Sequence, residues 1–326
     1  MVVLVVGGAG YIGSHTARVL RQHGFDVLIY DNLSTGHLFL AKDFELIVGD
    51  IADSSVLEQA ITRVDAVMHF AAHAYVGESV ENPRKYFRNN VEAGLNLLNL
   101  VVDRGIQYFV FSSSCAVYGR PAKVPITEDN VRQPINPYGV SKLFFENALE
   151  AYARAYGLRC GTLRYFNAAG ADENGDIGEV HDPETHLIPL ALAATSSDGP
   201  ELSVFGDDYS TPDGTCIRDY VHVNDLAEAH VLALQHLTEE PSSFALNLGT
   251  GEGNSVLDVI KTTEEVTGKA VRRHIVPRRP GDPPALVADP SRANEMLGWK
   301  AKRTLKEMVA SAWKWKQKAS RHEQSR

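Results

Sequence analysis

Val2-Val3-Leu4-Val5-Val6-Gly7-Gly8-Ala9-Gly10-Tyr11-Ile12-Gly13 is the stretch whose reading decides the fold. Its five consecutive apolar residues describe a short strand buried on both faces. Ile12, Thr16, Val19, Leu20 and His23 follow at helical spacing, and Gly24 supplies a stop. Between strand and helix stand Gly7, Gly10 and Gly13, spaced GxxGxxG. A dinucleotide pyrophosphate needs such glycines, because the turn takes unusual backbone angles and the ligand must approach the chain closely. Its negative charge then meets a helix N-terminus. Asp31 closes the next strand, Val27-Leu28-Ile29-Tyr30, where a ribose-hydroxyl acceptor is expected. A carboxylate there repels a 2′-phosphate, which favours NAD over NADP. Asp50, after Leu46-Ile47-Val48, is placed either to accept from the adenine amino group or to cap a helix.

Outward from this stretch the two periods keep alternating. Ser55-Val56-Leu57-Glu58 reads as a capping box opening a helix. Strands are expected at Ala66–Phe70, Tyr108–Phe111 and Gly161–Tyr165, with long helices near Pro83–Arg104 and, behind an Asn136-Pro137 cap, as far as Tyr156. Such alternation predicts an α/β fold, a doubly wound parallel sheet with ligands beyond the carboxyl ends of its strands. Residues 168–218 are rich in Gly, Asp and Pro and read as ligand-binding loops. Helical patterns return at Asn224–Leu237, Ser255–Val266 and Thr304–Lys316, and a strand at Ala245–Leu248 is expected to rejoin the sheet. The expected organisation is a Rossmann-like NAD domain over residues 1–167, rejoined by about 219–249. Residues 168–218 and 250–318 then form a smaller mixed α/β C-terminal substrate domain, and 319–326 a frayed tail.

Net charge narrows the ligands. With 32 Lys and Arg against 41 Asp and Glu, the chain carries −9, which argues against nonspecific nucleic-acid binding. A few arginines and helix N-termini in one cleft still suffice for a phosphorylated small molecule. Three widely spaced cysteines, Cys115, Cys160 and Cys216, form no disulfide framework. Neither a secretory leader nor an apolar run of membrane-spanning length is apparent, so the cytoplasm is the expected location.

Tyr138 and Lys142 lie four residues apart just inside a helix, so both side chains share one face. A free tyrosine is a poor base, with a pKa near ~10. A neighbouring ammonium and the positive nicotinamide of NAD are expected to favour its phenolate. Ser112-Ser113-Ser114 reaches the same sheet edge as the glycine loop, and Ser114 is placed to share a proton with the tyrosine. His69 with His73, and His181 with His186, show no accompanying ligand set at metal spacing, and no metal is expected.

These segments together resemble the extended short-chain dehydrogenase/reductase family, and within it the nucleotide-sugar 4-epimerases. The resemblance runs to about Trp315 and is carried by GGAGYIGSH from Gly7, Asp31-Asn32-Leu33, Val76-Gly77-Glu78-Ser79 and SSSCAVYG from Ser112. It continues through YGVSK from Tyr138, LRYFN from Leu163, GTCIRDYVHV from Gly214 and RRPGD from Arg278. It implies a tightly held NAD and a reaction that oxidises a UDP-hexose at C4, turns the 4-keto sugar over and reduces its other face. UDP-glucose and UDP-galactose are the implied substrates.

The resemblance assigns catalysis to Ser114, Tyr138 and Lys142. To the cofactor it adds Tyr11, Ile12, Asn32, Ile51, Phe70, Ala71, Ala72, Asn90, Ser112 and Tyr165 beside the glycines, Asp31 and Asp50. To the substrate it gives Ser114, Tyr138, Asn167, the Thr185-His186-Leu187 segment, Val204, Phe205, Arg218, Tyr220, Arg279 and Asp282. Arg218 and Arg279 have the fork geometry to neutralise a diphosphate. The alternative for Arg218 is an ion pair with Asp219, and for Phe205 a place in the core.

Two positions depart from the family. Some relatives carry a cofactor-binding lysine where this chain reads Ala71-Ala72-His73-Ala74. Leu286 stands where members restricted to unacetylated hexoses carry tyrosine, which implies room for an N-acetyl group. No carboxyl group follows Ser114, so dehydration is disfavoured. Pentose or uronate 4-epimerisation, decarboxylation and a non-catalytic NAD-binding regulator are the alternatives. The apolar residues Leu143, Phe144, Phe145 and Leu149 on the second long helix predict a homodimer through a four-helix bundle.

Overall fold

The computed structural model describes residues 1–279 and 282–324, with side chains as far as Ala319. Pro280 and Gly281 of the RRPGD segment, and Ser325 and Arg326 of the tail, lie outside the described residues. Seven parallel strands form the main sheet: β1 (Val2–Val6), β2 (Asp26–Asp31), β3 (Glu45–Val48), β4 (Ala66–His69), β5 (Tyr108–Ser114), β6 (Arg159–Tyr165) and β7 (Phe244–Leu248). Their spatial order is 7-6-5-4-1-2-3. The order reverses beside β1, where a crevice opens at the carboxyl edge for a ligand.

Alternation along the strands builds a core on each face. Leu4, Val6, Val67, Phe109 and Phe111 pack one way, against Leu97, Val101, Phe145 and Leu149. Val3, Val5, Met68, Val110 and Leu163 pack the other way, against Leu20, Leu226, Ala229, Leu234 and Trp299. The helices responsible are α1 (Tyr11–Gln22) and the Val223–Glu239 helix on the second face. On the first face, the Gly94–Asp103 helix lies beside α2 (Pro137–Tyr156).

Differences from the expected elements are local. The helix opened by the supposed capping box starts at Ser54, and its cap is Asp53, whose carboxylate accepts from Ser55 N at 3.0 Å. A carboxylate two positions earlier reaches the free N–H groups first. The long Pro83–Arg104 helix is interrupted by a π-helical turn over Phe87–Ala93, a device that re-aims side chains. Residues 168–218 hold more than loops: a helix, Leu187–Ala193, and a strand, Leu202–Phe205, which pairs in parallel with Arg273–Val276. The last helix runs from Leu305 to Gln324. No described helix is long and apolar enough to cross a membrane.

Short pairings tie the second half of the chain to the sheet edge. Asn167–Ala169 pairs with Tyr220–His222, and Ile217–Arg218 lies between Asn254–Ser255 and Ala285–Leu286. Asp219, fully buried, anchors this junction by accepting from Thr250 N, Gly251 N and Ala288 N. The Tyr11 hydroxyl at the head of α1 donates to Gly170 O at 2.6 Å. The glycine-loop helix is thereby bonded directly to the segment that follows β6.

Candidate active site

The glycine loop is built for a ligand that touches backbone. Gly7 has φ +82°, and a Cβ there would sit 2.6 Å from Ala71 N. At Gly13 a Cβ would meet Gly7 O at 2.3 Å, so the helix can approach the loop only without a side chain. Gly10, the N-cap of α1, offers no side-chain cap. The first N–H groups of a helix have no intrahelical acceptor and remain available to an anion. Asp31 secures the loop from the neighbouring strand, accepting from Ala9 N at 2.9 Å and Leu33 N at 2.8 Å. Burial raises its pKa, and these two N–H groups oppose the rise. Asp50 is no helix cap. It accepts from Ala52 N at 2.8 Å and from the Asn32 amide at 2.8 Å, so both cofactor candidates are joined at the mouth of β2 and β3.

These features fit NAD: a cradle that any Cβ would fill, a helix N-terminus and a carboxylate at the end of β2. Ile51 is a core residue at 4% exposure, and Phe70 packs on His230 at 4.7 Å between ring centres. Asn90, within the π-helical turn, bridges His73 N and O and the Ser141 hydroxyl, fixing the loop that follows β4. Burial and the nearby Lys85 hold His73 below the usual histidine range.

Catalytic groups converge because α2 starts hard against the end of β5. Asn136 caps it, accepting from Gly139 N at 2.8 Å, with Pro137 in the first turn. A Cβ on Gly139 would lie 2.6 Å from Ala116 O, so only glycine lets this turn dock on the chain after Ser114. Tyr138 consequently faces Ser114. One turn on, the fully buried Lys142 donates to Ser112 O at 2.8 Å, its ammonium 5.9 Å from the Tyr138 ring centre. The Ser112 hydroxyl meets the Tyr165 hydroxyl.

Burial dominates the electrostatics here. Burial pushes the Tyr138 phenol up to about 12, with the Ser114 hydroxyl opposing. Burial also pulls Lys142 down to about 7, with Glu146 opposing. The chain by itself therefore holds Tyr138 as a phenol rather than lowering its pKa. A buried ammonium poised near neutrality is too weak a partner to overcome the phenol's desolvation.

Beyond β6 a cleft is lined by Asn167, Ala169, Glu179, His186, Leu187 and Tyr220, four of them assigned to the substrate. Arg218 pairs with Asp282 and not with Asp219. Arg279 lies 3.9 Å over the Phe205 ring, which gives Phe205 a role beyond core filling. Val204 differs: it is 2% exposed and packs with Ala191, Leu202 and Ile260, leaving only its backbone for a ligand. Leu286 packs against the cluster of Cys115 and Phe166, directly behind Ser114.

Two groups of site residues escaped the sequence reading. Glu146 and Arg164 form a buried pair beneath Ser113, at 2.8 Å. Glu179 and Glu184 stand beside His181 and His186, so carboxylates do accompany these histidines. Two Glu-x-His pairs within eight residues were the available signal.

A parallel dinucleotide sheet with Ser, Tyr and Lys at its carboxyl edge defines a nicotinamide-dependent enzyme of the short-chain dehydrogenase type. The chain belongs to the NAD dependent epimerase/dehydratase family, whose pattern matches residues 3–249. It is 47% identical over 318 residues to the UDP-glucose 4-epimerase of Halalkalibacterium halodurans, covering 97% of this chain and 95% of that one. The structure is similar to that of UDP-glucose 4-epimerase from Brucella ovis in complex with NAD, with a TM-score of 0.93, 51% identity and coverage of 96% and 97%. It is also similar to the Bifidobacterium longum UDP-glucose 4-epimerase in complex with NAD+ and UDP, with a TM-score of 0.93, 40% identity and coverage of 98% and 99%.

Proposed function

We propose that the protein interconverts UDP-glucose and UDP-galactose by oxidation and re-reduction at C4. The observation that carries this is the docking of Tyr138 against Ser114 beside the glycine loop, with no carboxyl group after Ser114. Near-full-length similarity to UDP-glucose 4-epimerases supports the substrate. Bound NAD supplies a hydride acceptor that can return the hydride to either face of the sugar. Tyr138 takes the proton of the 4-hydroxyl, Ser114 hydrogen-bonds the same oxygen, and Lys142 holds cofactor ribose. On the return the tyrosine gives the proton back. Asn167, His186, Leu187, Tyr220 and Phe205 with Arg279 hold the nucleotide end, together with Arg218 and Asp282 and the backbone at Val204. The hexose is left free to turn between half-reactions.

Residues 1–167 with about 219–249 serve as the NAD domain in this reading, and the remainder as the substrate domain. Leu286 widens the pocket, so UDP-N-acetylglucosamine is an additional substrate. The test is conversion of UDP-glucose by purified enzyme without added cofactor, with UDP-N-acetylglucosamine assayed alongside. No conversion of UDP-glucose by enzyme that releases NAD on denaturation overturns the reading. Turnover of UDP-glucose alone overturns the role given to Leu286.

A homodimer through α2 is part of this proposal, in a cytoplasmic enzyme. Phe144 is 50% exposed and Val140 39%, on the helix that also carries the catalytic pair. Phe145 and Leu149, by contrast, are spent on the sheet. Light scattering is expected to give a particle of twice the 35.7 kDa chain mass, and a particle of the single-chain mass counts against the dimer.

A further inference from the structure

Beside the substrate cleft, and outside the hydride-transfer machinery, lies a cluster of which only His186 has a role above, at the nucleotide end. Its members are Glu179, His181, Glu184 and His186. One donor atom from each falls within 4.8 Å of all the others. His186 Nδ1 is 2.6 Å from Glu179 Oε1 and 3.3 Å from Glu184 Oε1, and His181 Nδ1 is 3.0 Å from Glu179 Oε1 and 3.9 Å from Glu184 Oε2. At such distances imidazole N–H groups would ordinarily be aligned on the carboxylates. Here both rings are ion-paired with the carboxylates, but the buried Glu179 Oε1 and His181 Nδ1 lack a well-aligned hydrogen bond. The Glu179 side chain is only 6% exposed. Buried donor atoms crowded this closely, with poorly aligned hydrogen bonds between them, are what a cation would satisfy.

We infer that Glu179, His181, Glu184 and His186 form a site for one divalent transition-metal ion of the zinc class. Two imidazole nitrogens and two carboxylate oxygens suit such an ion, whereas magnesium and calcium take six or more oxygens. Bonds of about 2.1 Å in a tetrahedral shell separate neighbouring ligands by roughly 3.4 Å. The four histidine–carboxylate separations, 2.6–3.9 Å, bracket that value, and all four donor atoms lie within 4.8 Å of one another. Surroundings hold the segment in place. Trp315 Nε1 donates to Glu179 O at 3.0 Å, and His181 lies edge-on to Tyr11 at 6.4 Å and to Tyr75 at 6.1 Å between ring centres. An ion here would brace the segment that presents His186 and Leu187 to the cleft, next to the head of the glycine-loop helix. The site stands independently of the epimerase reading, because its readout is metal stoichiometry.

The test uses the full chain with its cofactor retained, stripped with EDTA and titrated with Zn2+ against a chromophoric chelator. One equivalent is expected, with an X-ray absorption spectrum showing imidazole and oxygen ligands, and excess Mg2+ should not displace it. Loss of a ligand in His181→Ala, and in the milder Glu184→Gln at a partly exposed position, should each weaken binding by about tenfold or more. Thermal melting of each variant without metal shows that the fold is intact. Absence of a stoichiometric equivalent, or binding undiminished in both variants, overturns the inference.

Discussion

Tyr138→Phe is expected to lower kcat for UDP-glucose by about a thousandfold, within the range of about 10²–10⁴ that a positioned acid–base group supplies. The variant loses one oxygen and nothing else. Its ring keeps its place, because the turn around it is fixed by the Asn136 cap and the contact of Gly139 with Ala116. UDP affinity and NAD content should therefore stay within about twofold of the parent, since the nucleotide contacts lie elsewhere. Burial keeps this phenol protonated, near 12, and the protein's own cation does little to change that. The proton acceptor becomes effective only when positive charge is brought against it, and oxidised nicotinamide carries such a charge. That couples the base to the redox state of the cofactor and leaves a phenol able to return the proton. Single-turnover measurements of nicotinamide reduction read this directly. Turnover unchanged in the variant would show that another group removes the proton.

Most of this site could be read from the chain because local rules place it. A GxxGxxG turn after a buried strand has one structural outcome, and Asp31 follows from where the next strand ends. Tyr138 and Lys142 share a face by helical period alone, and an Asn-Pro cap fixes where that helix begins. What sequence could not supply were relations between distant segments. Arg218 pairs with Asp282, sixty-four residues away, while its chain neighbour Asp219 turns to backbone N–H groups. Extended backbone sends adjacent side chains to opposite sides. Val204 and Phe205 part company for the same reason, one into the core and one toward Arg279. The strength of the Tyr138 desolvation was not legible, because it depends on everything packed around the group, and no motif reports that. Glu179 and Glu184 were overlooked because their loop follows neither helical nor strand period.

Removing the buried carboxylate beneath the site is expected to have the largest effect on stability. Glu146 is 2% exposed and accepts from Arg164 Nε at 2.9 Å, Arg164 Nη2 at 2.8 Å, the Ser113 hydroxyl at 2.5 Å and Arg132 at 3.0 Å. Arg164, 3% exposed, continues to the Tyr118 hydroxyl at 2.8 Å, which donates to Asn247 at 2.7 Å. One carboxylate thus joins α2 to β5 and β6, and through Tyr118 to β7. Glu146→Ala leaves the Arg164 guanidinium buried without its counter-charge, a loss of about 3–5 kcal/mol. Replacing both partners by apolar residues of similar volume should cost far less, because the stranded charge and not the missing attraction dominates. A second consequence follows from Lys142, one turn away, whose pKa Glu146 holds up against burial. The folded value near 7 lies below the ordinary 10.5, so the folded state binds fewer protons and this lysine opposes folding. Its opposition is full below the folded pKa and fades as pH rises toward 10.5. Without Glu146 the folded pKa falls further, which enlarges the penalty below pH 7 and leaves it unchanged well above. Urea unfolding of Glu146→Ala should accordingly show a larger deficit at pH 6 than at pH 8.5. A deficit below about 1 kcal/mol would mean that water satisfies the stranded guanidinium, and one that grows with pH would overturn the coupling to Lys142.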